Sequence, residues 1–221
     1  DVARLGHDVR VPYRPTAPGL QRVHPDGRVT YVLDEGFRAP NDLVVGADGR
    51  LWFTDPPHAH DHFLPRPQAS SGEPVGRVWS WSPDQGLDLY ADGFTYCNGI
   101  GFDRDGHLVV VERTGLQRVF PDGSREWLVE DLGWADGFCT DVEGNFYAAS
   151  PRPGVSVIDA HGVVVDVLEL PGDGKVTNCC FGGPDHRWLF ATDARSGTVV
   201  VWTDPPIPGI VVPPCPTPYG V

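Results

Sequence analysis

Four polar residues recur at the head of apolar strands: Asn41 in Pro40-Asn41-Asp42, Asn98 in Cys97-Asn98-Gly99, Asp136 in Ala135-Asp136-Gly137 and Asn178 in Thr177-Asn178-Cys179. Three carboxamides and one carboxylate are hard oxygen donors. Gathered at one point they would make a cage suited to Ca²⁺ or Mg²⁺ rather than to a thiolate-seeking metal, although Zn²⁺ also accepts oxygen. The competing reading is local, because Asn and Asp at strand starts also cap turns by bonding nearby backbone. Four such residues on four repeats favour the cage. Other chemistries find less support. No Gly-x-Ser-x-Gly elbow offers a serine nucleophile. The five cysteines, Cys97, Cys139, Cys179, Cys180 and Cys215, contain no CxxC pair, so a thiolate zinc site is not indicated. Four of them lie in apolar runs, where a free thiol packs as a small buried hydrophobe.

The elements that must position these oxygens are hairpins. One type runs from an apolar strand through a tight turn to a second strand: Leu43 to Val45, the turn Ala47-Asp48-Gly49, then Leu51 to Phe53. It returns around Arg104-Asp105-Gly106, Val142-Glu143-Gly144 and Pro184-Asp185. Asp-Gly and Glu-Gly supply the positive φ such turns require. A second hairpin type alternates with it, around Pro25-Asp26-Gly27, Pro83-Asp84, Pro121-Asp122-Gly123 and Ala160-His161-Gly162. Two hairpins per unit give four antiparallel strands. The units open at Asn41, Asn98, Asp136 and Asn178, in steps of 57, 38 and 42 residues. That is the period of a β-propeller blade, with an insertion over residues 56–76 lengthening the first step. A β-sandwich lacks a four-strand supra-period, and β-helix rungs are shorter. In a propeller the first strand of each blade lines the central channel, so the four opening residues are expected to converge there.

Composition excludes several functions. Lys and Arg number 17 against 30 Asp and Glu, a formal charge of −13, which argues against nucleic acid and anionic membrane surfaces as partners. Hydrophobic residues make up 40%, enough for a packed core. The 27 Gly and 23 Pro are roughly double ordinary usage and punctuate against long helices. No apolar run approaches the roughly 18 residues of a membrane span, and no secretory leader pattern opens the chain. The chain holds no Met and begins at Asp1, so it is expected to be processed or a fragment. A soluble, cytoplasmic placement is favoured; compartment and oligomeric state stay open.

The strings APNDLVVGADGRLWFTDP (39–56), YCNGIGFDRDGHLVVVE (96–112), WADGFCTDVEGNFYAAS (134–150) and VTNCCFGGPDHRWLFAT (176–192) resemble the SMP-30/gluconolactonase/LRE family over about residues 20–203. The resemblance implies an all-β, six-bladed propeller, here about four and a half blades of four-stranded antiparallel sheets. It implies one propeller domain over residues 1–221, N-terminally incomplete, with 56–76 as an inserted pocket loop. Many members are metal-dependent lactonases. Asn98 and Asp136 match the family's asparagine and aspartate metal ligands, and Asp136 also matches its catalytic proton acceptor and donor. Asn41 matches the substrate-facing asparagine, which in some relatives reaches the metal. Asn178 is read in the matching register of the last blade. The implied cofactor is one divalent cation, Ca²⁺ first and Zn²⁺ or Mg²⁺ as alternatives.

This chain departs from the pattern in two places. The family's first metal ligand is a glutamate in an N-terminal Glu-Gly-Pro string, and none precedes Asn41; Glu35 is followed by Gly36 and then Phe37. The insertion carries His58-Ala59-His60-Asp61-His62, which resembles the HxHxDH string of dinuclear zinc hydrolases but is one residue short. In the family a substrate-contacting glutamate falls at the place of Ala59, which makes His58 and His60 candidate pocket residues, the alternative being a solvated loop. Arg38 stands three residues before Asn41, where some relatives place a substrate-binding arginine two before. The reading that follows is a metal-dependent hydrolase opening a small-molecule lactone, the metal as Lewis acid and Asp136 as general base and acid. The alternatives are a non-catalytic binding platform, with Trp79, Trp81 and Trp127 at an interface, or an inactive fragment lacking the first ligand glutamate.

Overall fold

Each Asp-Gly or Glu-Gly turn closes a hairpin, and carboxylates reinforce the closure. Between Phe102 and Leu108 the Asp103 Oδ1 accepts from the backbone N–H groups of Asp105 (3.0 Å) and His107 (2.9 Å), while Gly106 takes φ of 83°. Asp141 does the same for Glu143 and Asn145. The structure is a computed structural model that describes residues 17–57, 75–150, 154–170, 172, 174–203 and 207–213. His58 and His60, and most of the 56–76 insertion, lie outside the described residues.

Strands β1 (Leu20–Val23) and β2 (Val29–Leu33) form a two-stranded hairpin. Three four-stranded antiparallel meanders follow. The first comprises β3 (Leu43–Val45), β4 (Leu51–Asp55), β5 (Gly76–Ser82) and β6 (Gly86–Phe94); the second β7 (Cys97–Phe102), β8 (Leu108–Glu112), β9 (Gly115–Val119) and β10 (Arg125–Val129). The third comprises β11 (Phe138–Thr140), β12 (Phe146–Ala149), β13 (Gly154–Ile158) and β14 (Val164–Glu169). The last sheet shows three strands among the described residues, β15 (Val176–Gly182), β16 (Trp188–Asp193) and β17 (Thr198–Trp202). Its first hairpin has His186, not glycine, after the turn residue Asp185. A 3₁₀ turn, Pro184–His186, closes it, with Asp185 and His186 at φ of 55° and 52°, a conformation costly for residues other than Gly.

The core lies between sheets, as propeller packing requires. Val78, Phe94, Ile100, Leu108 and Val110 join the first meander to the second. Val109, Val111, Phe138, Phe146 and Ile158 join the second to the third, and Tyr147, Val155, Cys179 and Leu189 join the third to the last. Strand β8 shows why its sequence is an unbroken apolar run: Leu108 and Val110 face one neighbour, Val109 and Val111 the other. Both faces are buried, so period-two alternation of polarity disappears. Aromatic residues on the second and third strands pack locally. Trp79 meets Phe37 at 5.8 Å and Trp52 meets Tyr90 at 4.7 Å, both edge-on, whereas Trp127 is exposed. Residues Pro208–Ile210 return to the inner strand of the third meander, where Val142 donates to Pro208 O and Ile210 to Thr140 O. No helix among the described residues is long and apolar enough to cross a membrane.

Candidate functional site

Strand pairing fixes which residues are equivalent. Leu43, Ile100, Phe138 and Cys179 each pair with the matching residue of the second strand, Phe53, Val110, Ala148 and Ala191. Two residues earlier stand Asn41, Asn98, Asp136 and Thr177; one residue earlier stand Asp42, Gly99, Gly137 and Asn178. Asn178 is therefore not in the register of Asn98 and Asp136. Its place is that of Asp42, and the hydrogen bonds agree. Asp42 N–H donates to Thr54 Oγ1 and Leu43 N–H to Asp42 Oδ1; likewise Asn178 N–H donates to Thr192 Oγ1 and Cys179 N–H to Asn178 Oδ1. Thr177, at the head position, shares a hydroxyl contact of 2.9 Å with Thr192. A one-residue slip changes which way a strand residue points.

A belt of hydrogen bonds draws the head positions together. The Thr54 hydroxyl donates to Asn98 O at 2.7 Å. Gly99 N–H donates to Asp136 O at 3.0 Å, and Gly137 N–H to Thr177 O at 2.9 Å. The approach is close enough that a Cβ on Gly99 would lie 2.5 Å from Asp136 O, and one on Gly137 2.2 Å from Asn178 Oδ1. These two glycines admit the neighbouring blade.

The belt brings Asn98 and Asp136 side by side. The Asn98 side chain favours the Asp136 anion. Asn98 is buried, and its Oδ1 has no hydrogen-bond partner among the described residues. An unpaired buried acceptor is costly, so this oxygen is suited to a ligand. Burial, then the charge of Asp42, pushes the Asp136 carboxyl up to about 6, against the Asn98 amide and Lys175, which favour the anion. Asp42 is itself raised by burial, opposed by backbone N–H bonds from Ile100 and Leu43. Its Oδ2 accepts from Ile100 N at 3.2 Å across the blade boundary. Asp42 and Asn178 line a cavity of about 1040 Å³ whose wall continues over Leu43, Ile100, Phe102 and Phe138.

A second set of carboxylates, not singled out from the sequence, holds the segments leading into the head positions. Asp55, fully buried, accepts from Arg38 N (2.9 Å) and Ala39 N (2.7 Å). Its equivalents are Glu112, which accepts from Thr95 N and Tyr96 N, and Asp193, which accepts from Lys175 N. The recurring signal was present in Thr54-Asp55, Val111-Glu112 and Thr192-Asp193. Arg38 turns its guanidinium away to Val75 O at 2.8 Å, and Asn41 is exposed. Asp103, Asp105 and His107 gather within one turn, but the Asp103 carboxylate is already occupied by backbone donors, His107 and Arg118.

The fold has counterparts among known proteins. Residues 16–195 match the profile of the SMP-30/Gluconolactonase/LRE-like region. A gluconolactonase of Zymomonas mobilis is 25% identical over 224 residues, covering 80% of this chain and 62% of that protein. Among solved structures, a gluconolactonase from Xanthomonas campestris is 25% identical with a TM-score of 0.70, over 88% of this chain and 66% of that one. A regucalcin of Agrobacterium tumefaciens, described as a calcium-binding protein, is 25% identical with a TM-score of 0.57, over 71% and 53%. The chain spans 25%, 45% and 62% of the length of three curated relatives it matches.

Proposed function

Because the chain belongs to the SMP-30/gluconolactonase/LRE-like family, we propose that it opens a lactone ring by metal-assisted hydrolysis. The observation that carries this reading is the buried Asn98 Oδ1, without a partner among the described residues, beside the head-position Asp136 carboxylate of the next blade, whose anion the Asn98 side chain favours. Asn98 and Asp136 fit a divalent cation as hard donors, Ca²⁺ first and Zn²⁺ or Mg²⁺ as alternatives. The bound cation would supply Lewis-acid polarisation of the ester carbonyl.

The protein's own groups do the proton work. Asp136, as the anion, accepts a proton from the attacking water while the water oxygen bonds to the carbonyl carbon. The ring C–O bond then breaks, and Asp136 returns the proton to the departing ring oxygen. A carboxyl raised to about 6 is a stronger base than an ordinary aspartate and is still mostly ionised at pH 7. Asn98, on the neighbouring blade, favours that anion. Asn41, which is exposed, and Asn178, on the cavity wall, would orient a small lactone.

Calorimetric titration with Ca²⁺ and Zn²⁺, followed by assay on sugar and aliphatic lactones, tests the reading. Cation binding together with lactone opening supports it. A folded sample that binds neither ion and cleaves no lactone favours a non-catalytic platform.

A further inference from the structure

Two thiols from adjacent blades face each other. Cys139 on β11 and Cys179 on β15 bring their sulfurs to 3.7 Å across a chain separation of 40 residues. Both are free thiols. The expectation that four of the cysteines pack as small buried hydrophobes holds for Cys97 and Cys179, whereas Cys139 is half-buried and Cys180 is exposed. Cys139, Cys179 and Cys180 all line the 1040 Å³ cavity, so a small solute in it can reach sulfur. The Cys179 thiol donates to Tyr147 O at 3.0 Å, which holds that side chain against β12 rather than in a free rotamer.

We propose that Cys139 and Cys179 are a redox modification site, closing to an inter-blade disulfide when hydrogen peroxide enters the cavity. The sulfurs, already in contact at 3.7 Å, must approach to about 2.05 Å. The Cys139 thiolate attacks one peroxide oxygen, the O–O bond breaks, and hydroxide leaves as water after taking a proton. Cys139 is then a sulfenic acid. The Cys179 sulfur attacks the Cys139 sulfur, the S–O bond breaks, and a second water departs. Two thiols lose two electrons and two protons in total, and one peroxide becomes two waters. Burial raises the Cys139 thiol well above its ordinary value, so the first step is slow at neutral pH and quickens in alkali. Cys97, also buried and with its thiol pushed up to about 12, has no sulfur partner within the described residues and serves as an internal control.

The test is peptide mapping of the whole chain after hydrogen peroxide treatment, with free thiols alkylated in denaturant before digestion. The expected product is one peptide pair joined through Cys139 and Cys179, two hydrogens lighter than its parts and split by dithiothreitol. Cys180→Ser keeps that product; Cys139→Val, nearly equal in volume, loses it. Joining Cys179 to Cys180, or oxidising Cys180 alone while Cys139 and Cys179 are both alkylated, overturns the proposal. Because the mapping is read first on the unaltered protein, failure of a variant to fold does not rescue it.

Discussion

Asn98 and Asp136 occupy the same position on neighbouring blades, and the Asn98 side chain favours the anion of the Asp136 carboxyl. The Asn98 Oδ1 is buried and has no hydrogen-bond partner among the described residues. The pair is assembled from residues 38 apart in sequence by the Gly99 N–H···O Asp136 bond of 3.0 Å. Backbone register, not side-chain length, sets its geometry.

The raised Asp136 carboxyl has a stability consequence whose sign is opposite to that of most aspartates. Its folded value of about 6 exceeds the unfolded 3.8, so between those pH values the folded state binds more protons, and stability falls as pH rises through the window. Without divalent cation, Asp136→Asn is therefore expected to stabilise the protein at pH 7 by about 2 kcal/mol and to make no difference near pH 3.5. Urea unfolding in chelator at the two pH values checks this. A variant no more stable than the parent at pH 7 contradicts it.

The same carboxylate should tie cation binding to pH. Protons and cation compete for Asp136, so Ca²⁺ affinity is expected to weaken about tenfold between pH 7 and pH 5. Calorimetry at both values reads it directly. In the same preparation Asp136→Ala is expected to lower lactone turnover by about 10²–10⁴-fold, the ordinary contribution of a general base. Undiminished turnover by that variant removes Asp136 from the chemistry.

Gly99 is required by close approach rather than by its own φ. An added Cβ meets the Asp136 carbonyl oxygen at 2.5 Å and the Gly137 Cα at 2.8 Å. Both are backbone and cannot swing aside. Gly99→Ala is expected to cost about 1–3 kcal/mol and to weaken Ca²⁺ binding, because relief of the clash pulls Asp136 from Asn98. Ala at Gly106 meets no atom within 4 Å but carries the strain of φ at 83°, so it should cost about 1 kcal/mol without touching cation affinity.

Much of this architecture was legible in the sequence. Hairpin turns announce themselves because Asp-Gly and Glu-Gly are demanded by backbone sterics, and the strands they join fall where the turns put them. Asn98 and Asp136 were legible because each precedes a glycine and an apolar strand in the same way. Asp42 was not, since one carboxylate among 30 acids carries no mark of burial until the neighbouring blade covers it. Nor was the work of Asp55, Glu112 and Asp193, which face backbone donors in segments remote from them. Sequence alone places Asn178 one residue out of register because its neighbour Thr177 is also polar. Residue type could not choose between them; the pairing of Cys179 with Ala191 does.

That correction is itself open to test. Asn178 Oδ1 accepts from the next residue, Cys179 N, at 2.8 Å, and its side chain lies over Gly137. Asn178→Ala is expected to keep Ca²⁺ affinity within about twofold, since it does not stand among the head positions, and to lose about 0.5–1.5 kcal/mol of stability with the local bond. Gly137→Ala, which forces a Cβ to 2.2 Å from Asn178 Oδ1, should be clearly destabilising alone. In an Asn178→Ala background the obstacle is gone, so much of that penalty should vanish, a coupling of about 1 kcal/mol or more in a double-mutant cycle read by urea unfolding. Additive losses, or a cation site abolished by Asn178→Ala, would return Asn178 to the ring of ligands and undo the register.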